Sequence, residues 1–213
     1  MNVFEGLMGF NQKGEFIPAI ADSYSVSDDE LTYTFKLKEG IQFHDGKDLT
    51  AQDVRYTYEK LAGLSGADPL NATLSQILAG VETPDDYTVV LTLLKKDAGF
   101  MSKTILSIVE DGYEDNGTMP IGTGPYKFVE YVQGQKLVLE KNEDYSTSES
   151  RMPSIDTVEF IIMTDENAKL MALKSGSLDI AGITATNVPA LGDDFNIVQG
   201  PQNMVQVLAL NNA

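Results

Sequence analysis

The chain has 213 residues, and its 32 acidic and 15 basic side chains give a formal net charge of −17 at pH 7. Apolar residues make up 42% of it and charged residues 22%, which is typical of a folded domain and not of a disordered chain. So acidic a chain disfavours nucleic acid as a partner, because the phosphate backbone would be repelled. The absence of cysteine excludes disulfides, thiol nucleophiles and thiolate zinc sites, and His44 is the one histidine.

Two sequence features bear on the cell compartment. No run of about 18 apolar residues occurs, so no membrane-spanning helix is predicted. Residues 1–6 lack the basic region, the apolar stretch and the cleavage site of a signal peptide. We therefore expect this chain to lack an export signal, whichever compartment the protein works in.

The first half of the chain predicts a sheet with helices beside it. Alternating apolar side chains predict a strand over 31–37, with residues 24–26 in its hairpin partner. Thr50 and Asp53 have the spacing of a helix capping box, and the apolar positions that follow predict a helix that ends at Gly63. Further along, the sequence predicts a helix over 69–79, a turn over 83–86, a strand over 87–94 and a helix over 99–108.

The second half of the chain predicts mainly hairpins. A loop rich in Gly, Pro and Asp covers 111–124. After it the sequence predicts a hairpin of 126–132 with 136–140, a strand over 154–163, a helix from Thr164 to Gly176, and short strands at 179–183, 196–198 and 204–210. Because hairpins outnumber parallel crossover units, the predicted fold class is α+β.

Two short motifs suggest chemistry and are better interpreted as turns. The run Gly122-Thr123-Gly124-Pro125 lacks the Lys-Ser/Thr of a phosphate loop and leads into a strand instead of a helix. His44-Asp45-Gly46 has a turn signal after an apolar run, and no G-x-S-x-G nucleophile motif accompanies it. The acidic clusters lack calcium-loop spacing. No catalytic, cofactor or metal site is therefore predicted.

Seven segments, taken in order and spacing, resemble the extracellular solute-binding proteins of ABC importers in the dipeptide, oligopeptide and nickel class (family 5). They are Phe4-Glu5-Gly6-Leu7, residues 17–24 (IPAIADSY), 31–40 (LTYTFKLKEG), 43–54 (FHDGKDLTAQDV), 120–126 (PIGTGPY), 142–145 (NEDY) and 176–181 (GSLDIA). The resemblance covers essentially the whole chain, and two of the blocks, F-x-D-G…T-A-x-D-V over 43–54 and G-T-G-P-Y over 122–126, are specific when they occur together.

The resemblance implies a fold and a domain organisation. The fold is that of periplasmic binding proteins (type II, cluster C), with a mixed β-sheet and flanking helices in each of two lobes that close on the ligand by a hinge motion. Members of the family are more than twice this length. We therefore expect residues 1–213 to be the N-terminal lobe, ending near the first hinge crossing at about 205–213, with the second lobe absent.

The resemblance also implies a function. The chain is expected to belong to the substrate-binding component of an ABC transporter, which captures a peptide or similar small solute outside the cytoplasmic membrane and delivers it to the permease. It would act without enzymatic chemistry and without a cofactor, as a monomer in a periplasm or lipid-anchored on the cell surface. By position, the expected ligand-binding residues are Leu70, Asn71, Ser107 and Ile108.

Three alternatives stay open from the sequence. Leu70 and Ile108 could belong to the core instead of the ligand cleft. A hydrolase that uses a pair of carboxylates is a rival function, although a single histidine and no cysteine speak against it. A surface adhesion module is a third, disfavoured because the sequence shows no internal repeat.

Overall fold

The computed structural model describes residues 2–11, 13–148, 152–192 and 195–198. The chain forms two compact units, residues 1–161 and residues 162–213. The strands of the first unit are β1 (Met8–Phe10), β2 (Phe16–Pro18), β3 (Ala21–Val26), β4 (Thr32–Leu37), β5 (Leu78–Asp85), β6 (Thr88–Leu93), β7 (Tyr126–Val132), β8 (Lys136–Lys141) and β9 (Thr157–Ile161). Its helices are α1 (Ala51–Ala62) and α2 (Ala72–Ser75), and the second unit holds α3 (Glu166–Lys174). The α+β class is confirmed.

A four-stranded sheet with the order β3-β4-β6-β5 carries the main core. Its strands pair antiparallel, and the register of β4 and β6 sets Phe35 opposite Val89 and Tyr33 opposite Leu91. Phe35, Val89 and Leu91 are fully buried, because the sheet packs one face against α1. The predicted strand over 31–37 and its hairpin partner are therefore confirmed as β4 and β3. Two smaller antiparallel sheets, β1-β2 and β7-β8-β9, complete the first unit.

Helix α1 is fixed at its start by a buried carboxylate. Asp53 is 3% exposed, and its Oδ2 accepts hydrogen bonds from the backbone N–H of Thr50 at 2.8 Å and from the Thr50 hydroxyl at 3.1 Å. The other oxygen, Oδ1, accepts from the backbone N–H of Asp111 at 2.9 Å. The Asp53 half of the predicted capping box is thus present, and the same side chain holds a loop far along the chain against the helix. Gly63 ends the helix in a left-handed conformation, as predicted.

The predicted helix over 69–79 is wrong, and the turn predicted over 83–86 lies slightly later, at residues 86–87 between β5 and β6. Only Ala72–Ser75 is helical, and strand β5 begins at Leu78 and continues through to Asp85. Leu74, Ile77 and Leu78 are all buried, as one face of a helix would be. They do not share a helix, however, because Leu74 lies in α2, Leu78 begins β5 and Ile77 lies between the two. Pairing of β5 with β6 overrides the local helical spacing.

The predicted helix over 99–108 is also wrong, because its second half pairs with the start of the chain. A single 3₁₀ turn, Phe100–Lys103, replaces it. After that turn, the backbone carbonyl of Thr104 accepts from the N–H of Met8 at 3.0 Å, and the N–H of Ile108 donates to the carbonyl of Glu5 at 2.8 Å. The helical hydrogen bonds of this segment are therefore exchanged for long-range ones.

The start of the chain is also bound on its other side, by the turn 122–125. Gly124 donates its N–H to the carbonyl of Val3, and Tyr126 donates to the carbonyl of Asn2, both at 2.9 Å. A Cβ on Gly122 or Gly124 would overlap the backbone of Asn2 and Val3, so only glycine allows this approach. The interpretation of this motif as a turn before a strand is confirmed, since β7 follows it directly.

The predicted hairpin of 126–132 with 136–140 is confirmed as β7 and β8, and the strand predicted over 154–163 is the shorter β9. The predicted helix between Thr164 and Gly176 is confirmed as α3 in the second unit. The carboxylate of Asp165 caps this helix by accepting from the N–H of Ala168 at 2.6 Å. Residues 179–183 and the described residues 196–198 do not form strands, and 204–210 lie outside the described residues.

Gly124→Ala should destabilise the chain by about 3 kcal/mol, because the added methyl group forces the turn away from residues 2–3. Urea unfolding followed by circular dichroism measures the change. Gly80→Ala is the matched control, since no atom lies within 4 Å of the Cβ position of Gly80. An equal and small effect of both substitutions would contradict the close approach.

Asp53→Ala should cost about 3 kcal/mol of unfolding free energy, because it leaves the N–H groups of Thr50 and Asp111 without their acceptor. Glu59→Ala on the same helix removes only the partly exposed ion pair with Arg55 and should cost less than about 1 kcal/mol. The same urea titration compares the two variants. If Asp53→Ala were as mild as the control, the carboxylate would not be what fixes the start of α1.

Candidate functional site

A cavity of about 200 Å³ lies beside helix α1 in the first unit. We name it the Leu70 cavity, and its lining combines apolar side chains with hydroxyl, amide and charged groups. The lining residues are Thr57, Lys60, Leu61, Leu70, Ser107, Val109, Tyr113, Glu114 and Asn116. It brings together two of the positions that the sequence analysis selected, Leu70 and Ser107.

Hydrogen bonds from α1 hold the segment that carries Ser107. The Thr57 hydroxyl accepts from the N–H of Val109 at 3.0 Å and donates to its carbonyl at 3.2 Å. The Tyr58 hydroxyl, at the fully buried end of its side chain, donates to the carbonyl of Lys103 at 3.0 Å. Burial also raises the pKa of Tyr58 far above its usual value, so this hydroxyl stays a donor. The cavity wall is therefore attached to a rigid helix at both ends.

The four predicted site residues have different environments. Leu70 is 69% exposed, so it is not a core residue, and its side chain is available at the cavity. Asn71 caps α2, because its side-chain oxygen accepts from the N–H of Leu74 at 3.0 Å. Ile108 is fully buried, as in the core alternative, and offers no side-chain surface to a ligand. Ligand contact at Leu70, Asn71, Ser107 and Ile108 stays a prediction.

A charged group that the sequence analysis missed lies at the same cavity. Lys60 places its Nζ 2.8 Å from the Tyr56 hydroxyl and 3.0 Å from Oε2 of Glu114, and the Tyr56 hydroxyl donates to Oε1 of Glu114 at 2.8 Å. The bonds to Tyr56 and Glu114 raise the pKa of Lys60, and those from Tyr56 and Lys60 lower the pKa of Glu114. Both side chains are therefore charged at neutral pH, and the pair presents no net charge to the cavity.

No local pattern could have revealed this group. Tyr56 and Lys60 are one helical turn apart on the face of α1 that the apolar stripe leaves to solvent. Glu114 is 54 residues beyond Lys60 and lies in an acidic loop that the sequence analysis interpreted as solvated. Only the tertiary structure brings the loop to the helix.

The size and lining of the Leu70 cavity limit what it can hold. A volume of about 200 Å³ is below the range of about 300–1,000 Å³ found for sites that enclose a whole drug-sized ligand. Leu61, Leu70 and Val109 supply apolar surface, while the Tyr113 hydroxyl is already used as a donor to the carbonyl of Met119 at 2.7 Å. The cavity therefore suits one apolar side chain of a ligand.

A second and larger cavity, of about 590 Å³, lies in the same unit, and we name it the Phe4 cavity. Its lining is mainly apolar and comes from the start of the chain, the loop before the turn 122–125, and the hairpin after it. The lining residues are Val3, Phe4, Asn116, Gly117, Thr118, Pro120, Phe128, Tyr131, Leu137 and Leu139. Asn116 lines both cavities, and its side-chain oxygen accepts from the N–H of Ile121 at 2.9 Å.

The part of the chain that the structure describes contains neither a metal-ligand cluster nor a membrane-spanning helix. Among those residues, no group of three or more His, Asp or Glu side chains could hold a metal ion. The helices described are all too short or too polar to cross a bilayer. The expectation that the chain uses no metal stays a prediction.

Residues 15–213 match the family model described as bacterial extracellular solute-binding proteins, family 5 Middle. The chain is 36% identical to the oligopeptide-binding protein AppA of Bacillus subtilis over 183 residues, which are 79% of this chain and 33% of AppA. It is 28% identical to the glutathione-binding protein GsiB of Pectobacterium atrosepticum, over 98% of this chain and 42% of GsiB.

Solved structures show the same similarity in three dimensions. The structure of AppA in complex with a nonapeptide superposes with a TM-score of 0.82 at 29% identity, covering 90% of this chain and 40% of AppA. NikZ of Campylobacter jejuni, solved in complex with Ni(L-His), gives 0.82 at 25% identity, over 91% of this chain and 40% of NikZ. This chain spans from a third to about two fifths of the length of these relatives. It belongs to the bacterial extracellular solute-binding proteins of family 5, the substrate-binding proteins of ABC importers.

Proposed function

We propose that the chain is one lobe of an extracytoplasmic receptor, which captures a peptide or a similar small solute and delivers it to the permease of an ABC importer. The observation that carries this proposal is the match of residues 15–213 to the family model. The relatives include proteins that bind oligopeptides, glutathione and a nickel–histidine complex.

Two observations support the proposed lobe organisation: the share of each relative's length that the chain covers, and the volume of the Leu70 cavity. The matched relatives are more than twice as long as this chain, and we propose that residues 1–213 correspond to their N-terminal lobe. The hinge crossing expected at about 205–213 lies outside the described residues. A cavity of about 200 Å³ surrounds one side chain and not a whole peptide. A peptide that places one side chain in the Leu70 cavity therefore needs a second wall to be buried, and the chain alone should bind it weakly.

The Leu70 cavity is proposed as a contact for one apolar side chain of the ligand. Leu61, Leu70 and Val109 provide the apolar surface, and Leu70 is exposed before any ligand arrives. Because Lys60 and Glu114 neutralise each other, the cavity does not select strongly for ligand charge. Recognition of the ligand's charged ends would then depend on the second lobe.

Capture is proposed to occur without chemical conversion of the solute, by a monomer in a periplasm or on the outer cell surface. The family to which the chain belongs consists of transport proteins that bind substrates. The rival hydrolase would need a carboxylate pair that faces a shared cavity. Glu114 is the one carboxylate that lines the Leu70 cavity, and it is already paired with Lys60.

A thermal-shift screen of the full-length gene product against di- to pentapeptides, nickel and short oligosaccharides tests the function. A ligand at 100 times its dissociation constant should add about 2.7 kcal/mol to the free energy of unfolding. We expect one peptide class to give this shift in the full gene product and a much smaller one in the 213-residue chain. Turnover of a substrate without any shift would favour the hydrolase instead.

Leu70→Asp should weaken binding of the peptides found in that screen by about tenfold or more, because the apolar contact is lost. Leu94→Asp is the matched control, since Leu94 is similarly exposed (61% against 69%) and does not line the cavity. Isothermal titration calorimetry on both variants measures the two dissociation constants. Equal effects, or none, would remove Leu70 from the proposed contact surface.

A further inference from the structure

The imidazole of His44 joins both glycines of the turn 122–125. Its Nε2 lies 3.0 Å from the carbonyl oxygen of Gly124, and its Nδ1 lies 3.3 Å from the backbone N of Gly122. A carbonyl can only accept and a backbone N–H can only donate, so Nε2 carries the proton and Nδ1 is bare. The backbone N–H of His44 adds a bond to the carbonyl of Gly122 at 2.9 Å. The ring is thus held in its neutral form.

The turn that His44 holds is where the walls of the Phe4 cavity meet. Residues 2–3 are bound to the turn through the N–H groups of Gly124 and Tyr126, and they lead directly into the Val3–Phe4 wall. The loop 116–120 enters the turn from one side, and strand β7 leaves it on the other. Asn142 supports the same point by donating its side-chain N–H to the carbonyl of Gly124 at 3.1 Å. Any loosening of the turn is therefore transmitted to all three walls.

Few charged groups lie near His44. Asp45 follows His44 in the same turn. Lys127 of β7 places its Nζ 3.3 Å from the His44 carbonyl and 3.8 Å from a carboxylate oxygen of Asp144. The turn 122–125 and residues 2–4 carry no titratable side chain. Burial is the main reason that the pKa of His44 is below its ordinary value of 6.5, and Lys127 lowers it further.

We propose that His44 is a pH-sensitive latch that holds the turn 122–125, and with it the walls of the Phe4 cavity, closed only while its ring is neutral. A proton on Nδ1 would replace the acceptor of the Gly122 N–H by a second donor. The neutral ring therefore supports the closed turn fully above pH 6.5, and this support is lost as the pH falls below that value. The latch does not depend on the identity of the transported solute or on the proposed function.

Hydrogen–deuterium exchange with mass spectrometry on the gene product tests the latch. A peptide that starts at or before residue 120 and ends at residue 128 reports the amides of Gly122, Gly124 and Tyr126, and a peptide from strand β6 serves as the internal reference. After correction for the intrinsic pH dependence of exchange, protection of 121–128 should fall between threefold and about thirtyfold from pH 7.5 to pH 5.0. The upper limit follows from a free histidine pKa of about 6.5. The reference peptide should not change.

His44→Gln is the matched variant, because its side-chain amide offers one donor and one acceptor in place of the two ring nitrogens and does not titrate. In this variant the protection of 121–128 should be independent of pH. A wild-type protein without pH dependence at 121–128 would overturn the proposal, and so would a pH dependence that persists in the variant. If His44→Gln fails to fold, His44→Asn is compared in its place. The wild-type pH series alone still shows whether the protection of 121–128 depends on pH.

Discussion

The backbone pairing of residues 2–8 with two distant segments is the constraint on which the first unit depends. On one side, residues 5 and 8 bond to residues 108 and 104, and on the other side residues 2 and 3 bond to residues 126 and 124. Gly6 fits tightly against Ile105, since a Cβ there would lie 2.6 Å from a backbone carbon. Residues 2–8 can approach both neighbouring segments this closely only because Gly6, Gly122 and Gly124 have no Cβ at the contacts. Without it, the wall that carries Ser107 and the turn before β7 would share no common support.

Buried polar side chains determine how the loops attach to this framework. Asp53 binds the loop at residue 111, Thr57 binds residue 109, and the Tyr145 hydroxyl donates to the carboxylate of Glu5 at 2.9 Å. Each bond joins residues that are more than 50 positions apart in the sequence. Because buried groups of this kind are costly to leave without partners, they specify one arrangement of the loops and not several. The Leu70 cavity has a defined wall for this reason.

The sequence predicted those parts of the fold that local patterns determine. The alternation over 31–37 and the cap at Thr50 and Asp53 are local signals, and β4 and α1 follow them. The helical spacing of Leu74, Ile77 and Leu78 is equally local, but strand β6 recruits Leu78 into the sheet and so removes the helix. The predicted helix over 99–108 failed because its partner is the start of the chain, about 100 residues away, which no window of sequence can show.

The residues of the candidate site also differ in whether the sequence alone could reveal them. Leu70 and Ser107 could be selected by position within a resemblance, and the structure lines one cavity with both. The Lys60–Glu114 pair could not, because it joins a helix face that appears solvent-exposed to a loop whose charges have no distinctive spacing. Pairings across long separations are set by packing, and they are invisible to periodicity.

The same long separations have a consequence for the order in which the molecule folds. Residues 2, 3 and 5 precede their hydrogen-bond partners at 126, 124 and 108 by more than a hundred positions, so they are synthesised well before the groups that they bind. Until those partners are made, the carbonyls of Asn2, Val3 and Glu5 lack the backbone donors that they have in the folded unit, and unpaired backbone of this kind is prone to association with other chains. Contacts of high sequence separation also slow folding. The first unit therefore cannot close around residues 2–5 until the chain has been made as far as residue 126.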